Sequence, residues 1–128
     1  MAEVILNKEG NEISSANDSI VIINALSHIP GGRSLNVSGV ASGTTVIKAG
    51  HIIIQNDTTK ECSPLGVSAG AYVSLPDGHS YLGVLKVTIP VKDARASIVT
   101  AGQINAAASP YPVTTAIKNG LPRIEFLY

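Results

Sequence analysis

The sequence has few of the residues from which most disulfide, metal and nucleic-acid sites are built. Its 128 residues include one cysteine, no tryptophan and a single phenylalanine, and only 14% of them are charged. The lone Cys62 excludes an intramolecular disulfide and a cysteine-based metal cluster within one chain. Nine basic and nine acidic residues give zero net charge, and no Lys or Arg run provides the basic face of a nucleic-acid-binding protein. We therefore expect no nucleic-acid partner.

Long hydrophobic runs are also missing. No apolar stretch approaches the roughly 20 residues that span a bilayer. The first residues, MAEVILNKEGNE, lack the basic and apolar regions of a secretory signal. We therefore expect neither a membrane partner nor a secretory leader. The low charge fits a subunit that hides part of its surface in an assembly.

The chain does contain short runs rich in Val, Ile and Thr, residues that suit a pleated strand. The three central runs are residues 44–54, 81–91 and 97–104, and each is broken or entered by one glycine: Gly50, Gly83 and Gly102. A single glycine in a strand marks a bulge, a tight bend or a close backbone approach. We predict that all three glycines are structural turns of a strongly bent β-domain.

The run at 81–91 also alternates in hydrophobicity. One face would carry Leu85, Val87, Ile89 and Val91, and the other would carry Val84, Lys86 and Thr88. This period of two predicts a half-buried strand. Proline cannot donate to a ladder, so the strand should end at Pro90 or lie at a sheet edge.

The N-terminal region contains two further strand candidates. AEVILN (2–7) precedes a polar stretch and should either act as an arm that pairs with another protein's edge or join the sheet. The second candidate, residues 19–26, leads to Pro30-Gly31-Gly32, which predicts a chain reversal or loop. A soft boundary near residue 40 divides the chain into an arm or extra strands at 1–40 and a main domain at 41–128.

Credible helix signals occur near the C-terminus. Residues 105–108 predict one turn, and residues 112–119 predict two turns with Pro112 near the first helical position and Gly120 as a C-terminal cap. Residues 123–128 then alternate as a closing strand. The predicted fold is mainly β, with one or two short helices near the C-terminus.

The sequence contains no arrangement typical of catalysis or cofactor binding. His28, His51 and His79 lack the spacing of metal ligands, although a threefold axis could gather three copies of one histidine. Cys62 lacks a neighbouring basic residue or helix N-terminus that would activate it, and we predict a partly buried small side chain. Nucleophile-elbow and phosphate-loop motifs are missing as well. We predict no catalytic residue, no cofactor and no metal site, and therefore not an enzyme.

Five motifs occur in an order that resembles tailed-phage head-decoration proteins, and also phage proteins labelled head fibers. They are TTVIKAGHIII (44–54), SPLG (63–66), GVLKVTI (83–89), IVTAGQINAAA (98–108) and AIKNGLPRIEF (116–126). Each motif is degenerate alone, while five in one order are moderately specific. The similarity covers residues 41–128.

The resemblance implies a β-tulip-like domain that forms a homotrimer on the outer surface of the virion head. Such trimers bind the major capsid protein at local threefold positions and stabilise the shell. In that family the N-terminal arm adds a strand to a capsid sheet, which places capsid contacts here at Val4, Ile5 and Leu6. Residues 1–40 are longer and more apolar than a simple arm.

Two other functions remain open from the residues. A carbohydrate-binding or host-adhesion module on the phage head would need exposed aromatics, for which only the four tyrosines are candidates: Tyr72, Tyr81, Tyr111 and Tyr128. A biotinyl or lipoyl carrier domain would need Lys86 at a hairpin tip, whereas the pattern places it in the middle of a strand.

Overall fold

A computed structural model describes residues 18–40 and 43–128 of the chain. The predicted arm strand, with the proposed capsid-contact residues Val4, Ile5 and Leu6, lies outside the described residues.

The described chain is mainly β, as predicted, with one short α-helix near the C-terminus. Its elements in order are α1 (Asp18–Val21), β1 (Ile22–Ser34), β2 (Val46–Ile47), β3 (Ile52–Asn56), β4 (Cys62–Pro64), β5 (Val67–Ser68), β6 (Ala71–Tyr72), β7 (His79–Leu85), β8 (Ile89–Pro90), a 3₁₀ helix (Val91–Asp93), β9 (Arg95–Asn105), a second 3₁₀ helix (Ala106–Ala108), α2 (Thr115–Gly120) and β10 (Ile124–Leu127).

The main sheet is organised around β9, the strand that contains the whole of the predicted run at 97–104. One edge of β9 pairs antiparallel with β1, and its other edge is shared by β7 and by β10, which runs parallel to it. The path β1-β9-β7-β3-β4 completes the six-stranded sheet, and β2–β8 and β5–β6 are separate two-stranded pairs. The run at 44–54 is divided between β2 and β3, while the strand predicted at 81–91 ends at Leu85 and resumes briefly at Ile89–Pro90.

Both faces of the sheet are covered, so the half-buried strand predicted at 81–91 is wrong. Val84 and Leu85 point to opposite faces and both are fully buried, whereas Val87 is 43% exposed. The first core contains Val21, Ile52, Ile54, Leu65, Tyr72, Val84, Val99, Ile104, Ile117, Leu121 and Ile124. The second contains Leu35, Ile47, Ile53, Cys62, Leu85, Ile89, Ala96 and Ile98. Helix α2 and β10 contribute to the first core, while β2, β8 and Leu35 contribute to the second, so the middle of the central strands is covered on both faces.

Strand β1 corrects two predictions for the N-terminal region. The run at 19–26 does not begin as a strand, because α1 occupies Asp18–Val21. The reversal predicted at Pro30-Gly31-Gly32 is also wrong, since β1 continues through it and Ile29 and Arg33 both pair with β9. Residues 30–32 lie between these two pairs, and the β1–β9 register shifts across them. The chain does not reverse, because β9 is the pairing partner on both sides. Residues 22–34 thus form an extra strand of the main sheet.

The three glycines predicted as structural turns have different roles, and only Gly50 among them lies in a turn. Gly83 lies inside β7 and Gly102 inside β9, so the turn prediction is wrong for both. A Cβ on Gly102 would collide with the backbone oxygen of Asn24, and one on Gly83 would collide with that of Val99. These two glycines therefore permit close approach of neighbouring strands.

The C-terminal helices form where helix-capping side chains are available. The Asn105 side chain accepts hydrogen bonds from two backbone N–H groups of the second 3₁₀ helix, and Thr114 Oγ1 accepts one from Ile117 N at 3.3 Å. Because Thr114 is the N-cap, α2 begins at Thr115, three residues beyond the predicted Pro112. Gly120 is the last residue of α2 and does not follow the helix as a cap.

Candidate functional site

A cleft of about 230 Å³ lies beside the start of β3. Its lining residues are Gly39, Val40, Thr44, Val46, Ile47, Lys48, His51, Pro64, Leu65, Gly66, Val67, Pro110 and Tyr111. Most of these side chains contain only carbon atoms. His51 is therefore a conspicuous polar group in a largely apolar cleft.

A tight turn positions His51. Its backbone N donates to Lys48 O at 3.2 Å, and Gly50 occupies the third turn position with a φ of 95°. Glycine adopts this positive φ without the steric penalty of other residues, as type II turns require. A Cβ on Gly50 would also lie 2.6 Å from Cγ1 of Val21 and 3.1 Å from Cδ of Pro110. The direction in which His51 enters the core therefore depends on Gly50.

The side chains of His51 and Tyr72 complete the β3–β4 ladder. Leu65 N donates to Ile52 O at 2.8 Å, and in a regular antiparallel pair Ile52 N would donate back to Leu65 O. Instead, Ile52 N donates to Tyr72 Oη at 3.2 Å, and Leu65 O is bonded to Nε2 of His51 at 2.8 Å. Two side chains thus satisfy buried backbone groups that the ladder leaves open.

The His51 ring packs edge-on against two tyrosines. Its centroid lies 5.2 Å from that of Tyr72 and 5.8 Å from that of Tyr111, with interplanar angles of 88° and 87°. The tyrosine centroids are 5.4 Å apart. Such perpendicular pairs contribute about 0.5–1.5 kcal/mol each beyond burial. We call His51, Tyr72 and Tyr111 the aromatic cluster.

Burial favours the uncharged forms of His51 and Tyr72. His51 is only 8% exposed, and desolvation lowers its pKa from the ordinary 6.5, against the smaller opposite effect of the bond to Leu65. Desolvation also raises the pKa of the Tyr72 hydroxyl. Because a carbonyl oxygen only accepts, Nε2 of His51 carries the proton and Nδ1 of the neutral ring is an acceptor.

The Nδ1 atom of His51 has no hydrogen-bond donor among the described residues. The described chain also has no fully buried side-chain nitrogen or oxygen without a hydrogen-bond partner, so Nδ1 is not completely enclosed. His51 lines the cleft. This buried histidine combines a fixed tautomer with a free lone pair.

The three predicted histidines do not come together within the subunit. His28 is exposed on β1, and His79 Nδ1 lies 3.1 Å from Asp77 O at a turn. The described residues hold no group of His, Cys, Asp and Glu suited to a metal ion. Sequence reasoning missed the aromatic cluster, because its members lie far apart along the chain and only the Gly50-His51 pair gives a local signal.

Cys62 has a basic partner that is distant in sequence. The thiol is fully buried, and Arg33 of β1 donates from Nε to Sγ at 3.2 Å and from Nη2 to Lys60 O at 2.9 Å. This guanidinium joins β1 to the turn before β4. The sequence predicted a partly buried small side chain, and Cys62 is instead fully buried.

The structure also places the tyrosines that a carbohydrate-binding module would use and the lysine that a carrier domain would use. Tyr72 is buried, so its ring is not exposed to stack on a sugar, whereas Tyr128 is highly exposed. Tyr81 and Tyr111 are half-buried. Lys86 follows β7 directly, and its backbone N donates to Ser97 O at 2.9 Å, so it is not at a hairpin tip.

A second surface feature is an apolar patch on α1 and β1, formed by Ile20, Ile23 and Leu26. The β1–β9 register shifts between Ile22 and Asn24 and again between Ala25 and Ser27. Ile23 and Leu26 are the extra residues at these two bulges, and Leu26 is 72% exposed. We call these three residues the β1 patch.

The chain matches no family model, and neither a curated protein nor a solved structure is similar to it. Neither described α-helix is long and apolar enough to cross a membrane.

Proposed function

We propose that this chain is a structural subunit of a tailed-phage head, a homotrimeric decoration protein that binds the outer capsid surface. The order of the five motifs supports the proposal, and the mainly β fold is compatible with it. Under this proposal the chain needs no catalytic residues. Its work is to bind the major capsid protein and other copies of itself.

The β1 patch is the observation that carries the proposal. Isolated exposed apolar residues are common on protein surfaces, and larger apolar patches mark interaction sites. Here three large apolar side chains occur within residues 20–26, and two of them project from bulges in an edge strand. A bulge interrupts the ladder and redirects a side chain, so Ile23 and Leu26 are displayed where they can contact a partner.

A second copy of the chain is the partner that we assign to the β1 patch. Residues 19–29 contain no Asp, Glu, Lys or Arg, and subunit interfaces are more apolar than transient ones. A trimer interface is heterologous, which means that the β1 patch contacts a different surface on the neighbour and the ring closes after three copies.

In this proposal the protein stabilises the capsid by binding to the assembled shell. A ligand that binds the assembled capsid and not its free subunits favours assembly by mass action, by about 2.7 kcal/mol at 100 times its Kd. Three arms on one trimer would raise this effect, because binding of the first arm raises the effective concentration of the others. In this mechanism Val4, Ile5 and Leu6 contact the capsid.

The mass of the purified protein in solution tests the trimer. We expect three times the 13.2 kDa of one chain by analytical ultracentrifugation, and a shift toward monomer for Leu26→Ser. Val87→Ser is the matched control, because Val87 is also exposed but lies between β7 and β8. A monomeric wild-type protein, or a Leu26→Ser variant that remains trimeric, would contradict this assignment.

Deletion of residues 2–7 tests the arm separately. The shortened protein should keep its folded core and its trimer mass but no longer sediment with capsids. If the shortened trimer still binds capsids, the arm is not the capsid contact.

A further inference from the structure

The cleft beside His51 has the properties of a binding site, independently of the proposed role on a phage head. It is lined by His51, which is more than nine-tenths buried and whose Nδ1 is a hydrogen-bond acceptor. Its walls include Val46, Pro64 and Pro110. Most small-molecule sites combine an apolar lining with a few fixed polar groups in this way.

The size of the cleft restricts what it can hold. A dry apolar cavity of about 150 Å³ is sufficient for benzene in a protein, and this cleft has a volume of about 230 Å³. It therefore accommodates a six-membered ring with one or two substituents. It is smaller than the roughly 300–1,000 Å³ of sites for drug-sized ligands.

The polar groups of the cleft restrict the chemistry of the ligand. Nδ1 of His51 offers a lone pair, so the ligand must supply an O–H or N–H donor. A phenol brings one hydroxyl group to this one fixed acceptor, whereas each of the several hydroxyl groups of a sugar would need a partner of its own on leaving water.

The tyrosine in the wall favours an aromatic ring. Tyr111 lines the cleft and already packs edge-on against His51. A second aromatic ring placed against it would gain the same edge-to-face contact. We propose that the cleft binds a small neutral phenol, whose ring packs against Tyr111, Pro110 and Val67 and whose hydroxyl donates to Nδ1 of His51.

A comparison of p-cresol with toluene tests the proposal on the unaltered protein. The two compounds differ by one hydroxyl, and both are titrated at pH 7.5, where the His51 ring is neutral. The side-chain nitrogens of His51 are followed by long-range ¹H–¹⁵N correlation NMR. We expect saturable p-cresol binding that moves the Nδ1 resonance. Toluene should bind about two- to tenfold more weakly, the value of one net hydrogen bond, and should leave Nδ1 little changed.

A pair of valine variants locates the binding. Val67 lines the cleft, whereas Val73 is similarly exposed but does not line it. Val67→Trp should weaken p-cresol binding at least tenfold, and Val73→Trp should leave it within twofold. Equal affinities for p-cresol and toluene, or no saturable change at cleft residues, would overturn the proposal. Equal affinities of the two tryptophan variants would also overturn it, by placing the binding elsewhere.

Discussion

Replacing Tyr72 by phenylalanine tests the argument that a side chain completes the β3–β4 ladder. The change keeps the ring in the first core and removes only the oxygen that accepts from Ile52 N at 3.2 Å. Ile52 is fully buried, so no water replaces the lost acceptor. An orphaned buried donor costs about 1–3 kcal/mol. Because this bond is at the long end of the usual range, we expect a loss of about 1–2 kcal/mol.

Tyr111→Phe is the matched control for this variant. The Tyr111 ring belongs to the same aromatic cluster, but its hydroxyl makes no hydrogen bond with the described residues. Its removal should change the free energy of unfolding by less than about 0.5 kcal/mol. Urea unfolding followed by far-UV circular dichroism measures both variants, at one protein concentration because assembly adds to stability. If both variants unfold at the same urea midpoint with unchanged m-values, the hydrogen bond does not support the ladder.

Two further predictions concern pH and backbone packing. Because burial lowers the pKa of His51, the unfolded chain binds a proton more readily than the folded one, so stability is complete above pH 6.5 and falls as the pH drops below it. The slope should reach at most about 1.4 kcal/mol per pH unit. Urea midpoints measured across pH 5–8 should show a flatter slope for His51→Gln, and an equal slope for this variant and the unaltered protein would contradict the prediction. Gly102→Ala should lower the free energy of unfolding by about 1–3 kcal/mol or more, because the added Cβ would collide with Asn24 O. Gly39→Ala is the control, since no atom lies within 4 Å of its added Cβ. In the same assay its free energy of unfolding should change by less than about 0.5 kcal/mol.

Several local features could be predicted from the sequence because neighbouring residues decide them. β-branched runs predicted the positions of β3, β7 and β9. The same local logic predicted that no strand continues beyond Pro90, where β8 ends, and that a short helix lies close to residues 112–119. The chemistry of each segment was sufficient there, since propensity and the missing proline donor act over a few residues.

The candidate site could not be predicted, because its parts lie far apart along the chain. His51 and Tyr72 meet only after β3 and β4 pair and the β5–β6 hairpin folds back. Tyr111 arrives from beyond β9, and Arg33 reaches Cys62 from β1. No spacing rule connects residues that are joined by tertiary folding alone.

The sequence by itself determined that this protein is mainly β, because runs of Val, Ile and Thr favour extended backbone and the helix signals are short. Only the tertiary structure decided which faces of those strands are buried. The run Ile52–Ile54 has no alternation, and both of its faces are covered because separate segments close over each side of the sheet. Pro30-Gly31-Gly32, predicted to reverse the chain, is instead a register shift within β1, because β1 pairs with β9 on both sides of it. The same pairing set Ile23 and Leu26 at bulges, where an apolar side chain faces water instead of the core.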